Sequence, residues 1–388
     1  MYQHSKTFKA RVVVVPLWMM IASTIASGAQ TSTRPVQIKD AKGNIVGATI
    51  RGPEFHAPEL FNGFEDFDSP LIQRLRHEYQ LDQVVKGETN EFRGMLKLRN
   101  WVHSRWPIDN DQKFMGDVFE ILEKAKTGAG FYCTHSMRVQ HAVMTAMGFV
   151  ARDLGVDVNH EQFGRSIHHG VNEVWSNQYA KWILLDAKYN IHYERAGVPL
   201  SALEVHEAVR AWKARDVLTV QGIDRKAVTL KDSEYPTNSP HSYWWVAYNT
   251  GQRQFTGTSD NRRLVILDNA PFRETRWYRQ TSNGLRESWA YQANAFVPTR
   301  ERGQIEWTPG VPDVQLQQIS TTELDLSVTS ATPNFKAYRI RANGGSWQAI
   351  TGDRFRWRIK PGENELDVQT RNLFDVDGSV VSLTVRAR

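Results

Sequence analysis

The chain has 388 residues, 40% hydrophobic, 11% aromatic and 23% charged, a globular composition that excludes intrinsic disorder and is long enough for two or more domains of roughly 100–200 residues. Its net charge is +6. Lysines and arginines are scattered, with no arginine-rich run and no zinc-finger spacing, which excludes nucleic acid as a partner and only weakly favours anionic surfaces or polysaccharides.

Residues 1–29 read as an export signal. Lys6, Lys9 and Arg11 precede the apolar run "VVVVPLWMMIASTIA", which closes on Ser27, Gly28 and Ala29. That is a basic start, a hydrophobic stretch of about 15 residues and a small-residue cleavage site. Cleavage is expected after Ala29. The competing reading, an uncleaved anchor, is disfavoured because Pro16 interrupts a run short of the roughly 20 residues a span needs. The mature chain is therefore expected in the periplasm or outside the cell, with no stable membrane insertion.

Residues 30–85 form an expected N-terminal lead and helix. "RPVQIKDAKGNIVGATIRGPEF" alternates apolar and polar residues around a glycine-containing turn, a hairpin pattern, and "PLIQRLRHEYQLDQVV" then turns helical. Residues 86–215 are the expected core. Phe92, Met95, Leu96, Leu98, Trp101 and Val102 recur at helical spacing, and "DVFEILEKAKTG" is a second helix ending near Gly128. A third begins at the chain's only cysteine, Cys133, and ends before Gly148. Strand patterns follow in "FVARDLGVDV", "GVNEVWSNQ" and "AKWILLDAKYN", then a helix in "SALEVHEAVRAWKARD". Residues 216–305 are an aromatic-rich extension of the core or a linking layer. Residues 306–388 hold short alternating strands with turn signals such as Pro361-Gly362, an immunoglobulin-like β-sandwich pattern. The expected class is α+β, helices packed on an antiparallel sheet, followed by a β-sandwich domain.

One cysteine excludes an internal disulfide, so stability must come from packed cores and the thiol is left unexplained by folding. A lone cysteine is commonly a small buried hydrophobe. Cys133, however, sits where a helix starts, at the positive end of its dipole, which favours the thiolate, and the first-turn N–H groups suit a developing oxyanion. Downstream, "HHGVNEVW" places His168 and His169 before a strand, and "WILLDAKYN" ends an apolar strand on Asp186. A nucleophile, a base and a carboxylate to fix the imidazole are the parts of a thiol triad. Neighbours on a strand point to opposite faces, so one histidine of the pair serves Cys133. Asn172, His135 and His192 are expected as structural or surface residues, and Tyr132 and His168 as lesser substrate-binding candidates.

The surrounding residues resemble the transglutaminase-like superfamily over about residues 90–194, roughly a quarter of the chain. The cysteine helix runs into "GFVAR", Gly148 to Arg152, where the family has a G-[IF]-x-A-R strand. His169 opens a match to H-x-x-x-E-V through Glu173 and Val174, and Trp182 and Asp186 match W-x-x-x-D. Gly170 and Val171 stand where the family often has an aromatic, and Ala187 where a proline is frequent. The resemblance implies a transglutaminase/papain-like core with Cys133 as nucleophile, His169 as base and Asp186 as acid, acting through a thioester on a protein, peptide or glycan-linked amide, by hydrolysis or transamidation. It also implies no cofactor.

Two other readings use different features. Trp244, Trp245, Trp277, Tyr278, Trp289 and Tyr291 are the right residue types to stack on polysaccharide, against core packing as the plainer role. A dormant triad beside a sandwich that mediates attachment would make a non-catalytic binding protein. A metal site is disfavoured, because "HHGVNE" and "NIHYE" supply histidines and carboxylates without H-E-x-x-H or paired cysteines.

Overall fold

The computed structural model describes residues 31–39, 45–109, 114–158, 168–228, 239–251, 264–267 and 296–387. Residues 1–29, which read as an export signal, and the aromatics Trp277, Tyr278, Trp289 and Tyr291 lie outside them.

Helix α1 (Pro70–Glu78) and the single turn α2 (Leu81–Val84) lead into α3 (Glu91–His103). Asn90 caps α3 by accepting from Arg93 N at 2.8 Å, and the apolar repeat buries Phe92, Met95, Leu96, Leu98 and Val102. α4 (Val118–Ala125) starts with a full capping box, Asp117 and Glu120, and its chain turns away at Gly128, whose φ of +84° is the left-handed value glycine adopts readily. α5 (Cys133–Ala146) is almost wholly buried and is followed by Gly148, also at φ +84°.

These helices cover one face of a six-stranded sheet. One half of it is β3 (Ala151–Asp157), β4 (His168–Ser176) and β5 (Lys181–Leu185), all antiparallel, with β5 at the edge. Val174, Ile183 and Leu185 pack with the helices, while Val171, Trp175, Trp182 and Leu184 pack on the other side, as strand alternation requires. A small second sheet follows, of β6 (Ile191–Arg195), β7 (Val198–Pro199), β8 (Leu218–Gln221) and β9 (Lys226–Ala227), with α6 (Ala202–Arg210) inserted between β7 and β8. The aromatic-rich stretch then returns to the core sheet as β10 (Trp245–Asn249), β11 (Leu264–Leu267) and β12 (Phe296–Thr299), giving the order β12-β11-β10-β3-β4-β5. Trp245 is buried, and Trp244 is half-buried beneath the Arg210 guanidinium at 3.8 Å, so both are packing residues.

The C-terminal strands are β13 (Pro312–Ser320), β14 (Glu323–Ser330), β15 (Phe335–Ala342), β16 (Gln348–Ile350), β17 (Arg354–Arg358), β18 (Gly362–Asn372) and β19 (Val381–Ala387). They form two sheets whose inward residues, among them Leu326, Trp357, Leu366 and Leu383, share one cluster. Here one expectation is corrected. The N-terminal hairpin, β1 (Ser32–Lys39) and β2 (Ile45–Gly52), is not part of a separate lead with the following helix. β2 pairs with β19, so the larger sheet reads β1-β2-β19-β18-β15-β16. The physical reason is its apolar side: Ile38, Ala48 and Ile50 are buried in the cluster that the C-terminal strands share.

Candidate active site

Cys133 is the first residue of α5 and is 8% exposed. The histidine comes from the start of β4, and the acid follows β5 directly, so the order helix start, strand start, strand end brings three distant positions together. His169 and Asp186 are buried, with Nε2 of the ring 2.7 Å from Asp186 Oδ2. Asp186 Oδ1 accepts from Tyr189 N at 3.3 Å, and the Tyr189 ring lies 5.5 Å from the imidazole. The other ring nitrogen, Nδ1, is buried without a hydrogen-bond partner, and Cys133 is the second group, after Asp186, that stabilises the charged ring.

The electrostatics follow from this arrangement. Burial pushes the Cys133 thiol up, but hydrogen bonding to His169, the charges of His169 and His168 and the Gly170 backbone outweigh it and bring the thiol down to about 6. Burial pushes His169 down, but the Asp186 charge and hydrogen bond, with Cys133 adding, carry it up to about 10. The pair therefore favours thiolate and imidazolium, the reactive state of a thiol nucleophile.

The adjacent histidine goes elsewhere. His168 Nδ1 lies 3.2 Å from both carboxylate oxygens of Asp157, and the charge of His168 contributes to lowering the Cys133 thiol. Tyr132 caps the approach to α5: its hydroxyl is 2.7 Å from Met115 Sδ and its ring meets His135 edge-on at 4.5 Å, beside the exposed Met115. Asn172 is internal, donating to Asp153 Oδ1 at 2.7 Å and accepting from Gln140 Nε2 at 2.9 Å. His192 bridges Arg99 at 2.9 Å and Glu194 at 2.7 Å, and His135 Nε2 bonds to the Phe114 carbonyl.

Two motif residues have a role the sequence reading did not assign. Arg152 of "GFVAR" and Glu173 of the histidine motif face each other across β3 and β4 and form a buried ion pair, Nε to Oε2 2.8 Å. Trp182, Tyr248 and Phe61 surround the guanidinium at 3.9, 4.5 and 5.3 Å. A cavity of about 480 Å³ lies apart from the triad, lined by His56, Trp175, Lys181, Trp182 and Arg302. Among the described residues no group of three His, Cys, Asp or Glu side chains is arranged to hold a metal ion.

Residues 79–187 match the family model of the transglutaminase-like superfamily, a stretch that contains Cys133, His169 and Asp186. The match falls on the segment whose three motifs resemble that family. Among solved structures the chain is similar to the red sea bream transglutaminase, at 12% identity over 83% of this chain and 72% of that one, with a TM-score of 0.24. No curated protein matches the chain.

Proposed function

We propose that the protein is an exported thiol enzyme that cleaves amide bonds, with Cys133 as nucleophile, His169 as base and acid, and Asp186 as the carboxylate that holds the imidazole. The observation that carries this reading is the buried His169–Asp186 bond beside Cys133 at the start of α5, an arrangement that lowers the thiol and raises the histidine together. Cys133 Sγ adds to the amide carbonyl carbon, and the oxyanion forms over the first-turn N–H groups of α5. His169 gives its proton to the departing amine or ammonia, leaving a thioester. His169 then takes a proton from water, the hydroxide attacks the thioester, and the carboxylic acid leaves as the thiolate is restored. An amine in place of water would give transamidation; water is far more abundant, so hydrolysis is the favoured outcome. Neither step calls for a cofactor. The partner is a protein, peptide or glycan-linked amide in the periplasm or outside the cell, the location the N-terminal pattern supports.

The test is turnover of a panel of peptide carboxamides, with mass spectrometry for the acyl-enzyme. Cys133→Ala should fold normally and show neither turnover nor adduct. His169→Ala should lose about 10²–10⁴-fold, with Asp186→Ala milder. Activity surviving in Cys133→Ala would sink the mechanism.

A further inference from the structure

The acid of the triad is carried on a turn that is held from outside itself. Asp186 and Ile191 exchange backbone hydrogen bonds at 2.9 and 3.0 Å, closing residues 187–190 into a loop with Asn190 at φ +56°. Each carbonyl in that loop has a partner from another segment. His103 Nδ1 lies 3.1 Å from both Ala187 O and Lys188 O; with two carbonyls as acceptors it is the ring N–H that donates. Gln221 Nε2 donates to Tyr189 O at 3.2 Å and Gly222 N to Asn190 O at 3.0 Å. The Asn190 side chain is gripped at both ends, accepting from Arg99 Nε at 2.9 Å and donating to Asn100 Oδ1 at 2.8 Å. Arg99 is itself fully buried and anchored on His192 Nδ1 at 2.9 Å and Gly222 O at 3.0 Å. Arg99, Asn100 and His103 project from one side of α3, spaced i, i+1 and i+4.

We infer that Arg99, Asn100 and His103 are positioning residues, a clamp on α3 that fixes the acid turn and so sets the direction from which the Asp186 carboxylate meets His169 Nε2. Their hydrogen bonds reach the turn, and it is through the turn that they act. The distances favour this over a purely structural role. Hydrogen bonds fall on four successive carbonyls and the one side chain of the loop that carries the acid, and a misplacement of about 1 Å there is enough to slow a reaction by as much as 100-fold. The catalytic purpose of the clamp rests on the triad reading above.

Two readouts test it. One is the rate at which iodoacetamide alkylates Cys133 at pH 7. The other is the downfield proton resonance of His169 Nε2–H, recorded in a Cys133→Ala background, which reports the bond to Asp186 without any thiol chemistry. His103→Ala and Asn100→Ala are used because both sites are half-buried and tolerate truncation better than Arg99, with Arg99→Lys as the conservative third variant. Each alanine variant is expected to slow alkylation about tenfold and to shift or broaden the resonance, and neither should slow alkylation further once Asp186→Ala is present. Variants that lower only the urea midpoint, or that slow alkylation by the same factor with and without Asp186, overturn the clamp. A wild-type thiol of ordinary reactivity whose His169 resonance is still lost in His103→Ala overturns the enzymatic reading and leaves the clamp standing.

Discussion

At Cys133 two opposing effects act on one sulfur. Burial alone would hold the thiol protonated and inert, whereas His169 beside it stabilises the thiolate, and the second effect wins, bringing the thiol down to about 6. His169 moves the opposite way, to about 10, chiefly because Asp186 outweighs its burial. The window in which thiolate and imidazolium coexist runs between those two values. Iodoacetamide reads it directly, since only the thiolate reacts. The alkylation rate of the wild type is expected to rise along a limb centred near pH 6 and then stay flat through neutrality. In His169→Ala the limb should move to the ordinary cysteine value of about 8.5 or above, because burial persists while its compensation is gone. A wild-type limb already at 8.5, unmoved by the substitution, would mean that the two side chains are not coupled.

At the level of strands and helices, what was legible in the sequence depended on whether a residue's role lies within its own element. Cys133 at a helix start, Gly148 at its end and Asp186 closing an apolar run all announce themselves locally. Arg99 does not: an arginine among apolar residues of α3 has nothing nearby in sequence to say that its partners lie at Asn190, His192 and Gly222. The Arg152–Glu173 pair was hidden for the same reason, because the register of β3 against β4 sets the two opposite each other. That pair also makes a prediction. Glu173 bonds to the backbone N–H of Ala202 at the start of α6 as well as to Arg152, so its carboxylate ties β4, β3 and α6 together. Glu173→Ala leaves a buried guanidinium without its counter-ion and is expected to cost about 3–5 kcal/mol, while the double change Arg152→Met, Glu173→Leu should recover most of the loss. Urea unfolding of the two variants checks it; a double variant as unstable as the sum of its parts would show that hydrogen bonding to α6, and not charge pairing, dominates.

Across the described residues the first strands and the last meet, and this is what a reading from left to right misses. Alternation identified the hairpin of β1 and β2 correctly, but nothing in 22 residues of strand and turn points to β19, more than 300 residues away. The C-terminal strands in turn reach back to the cysteine helix: Asn372 Nδ2 donates to Gly148 O at 2.8 Å, just beyond α5, and Phe374 stacks on Phe67 at 4.6 Å. Removing the hairpin should therefore be felt as lost stability of the whole and not as loss of a tail. A shortened chain beginning at Pro53 exposes the apolar surface covered by Ile38, Ala48 and Ile50, which are 1%, 4% and 5% exposed, and leaves β19 as an open edge. At about 1.5–3 kcal/mol for each buried isoleucine, the expected loss is about 3–6 kcal/mol, accompanied by self-association through the freed edge. Urea denaturation and size-exclusion chromatography measure both, and a shortened chain that stays monomeric with an unchanged midpoint would show that β19 needs no partner. Whatever folded fraction remains should keep the low-pH alkylation limb of Cys133, because the residues that set the thiol, His169, His168 and Gly170, belong to β4 in the other sheet.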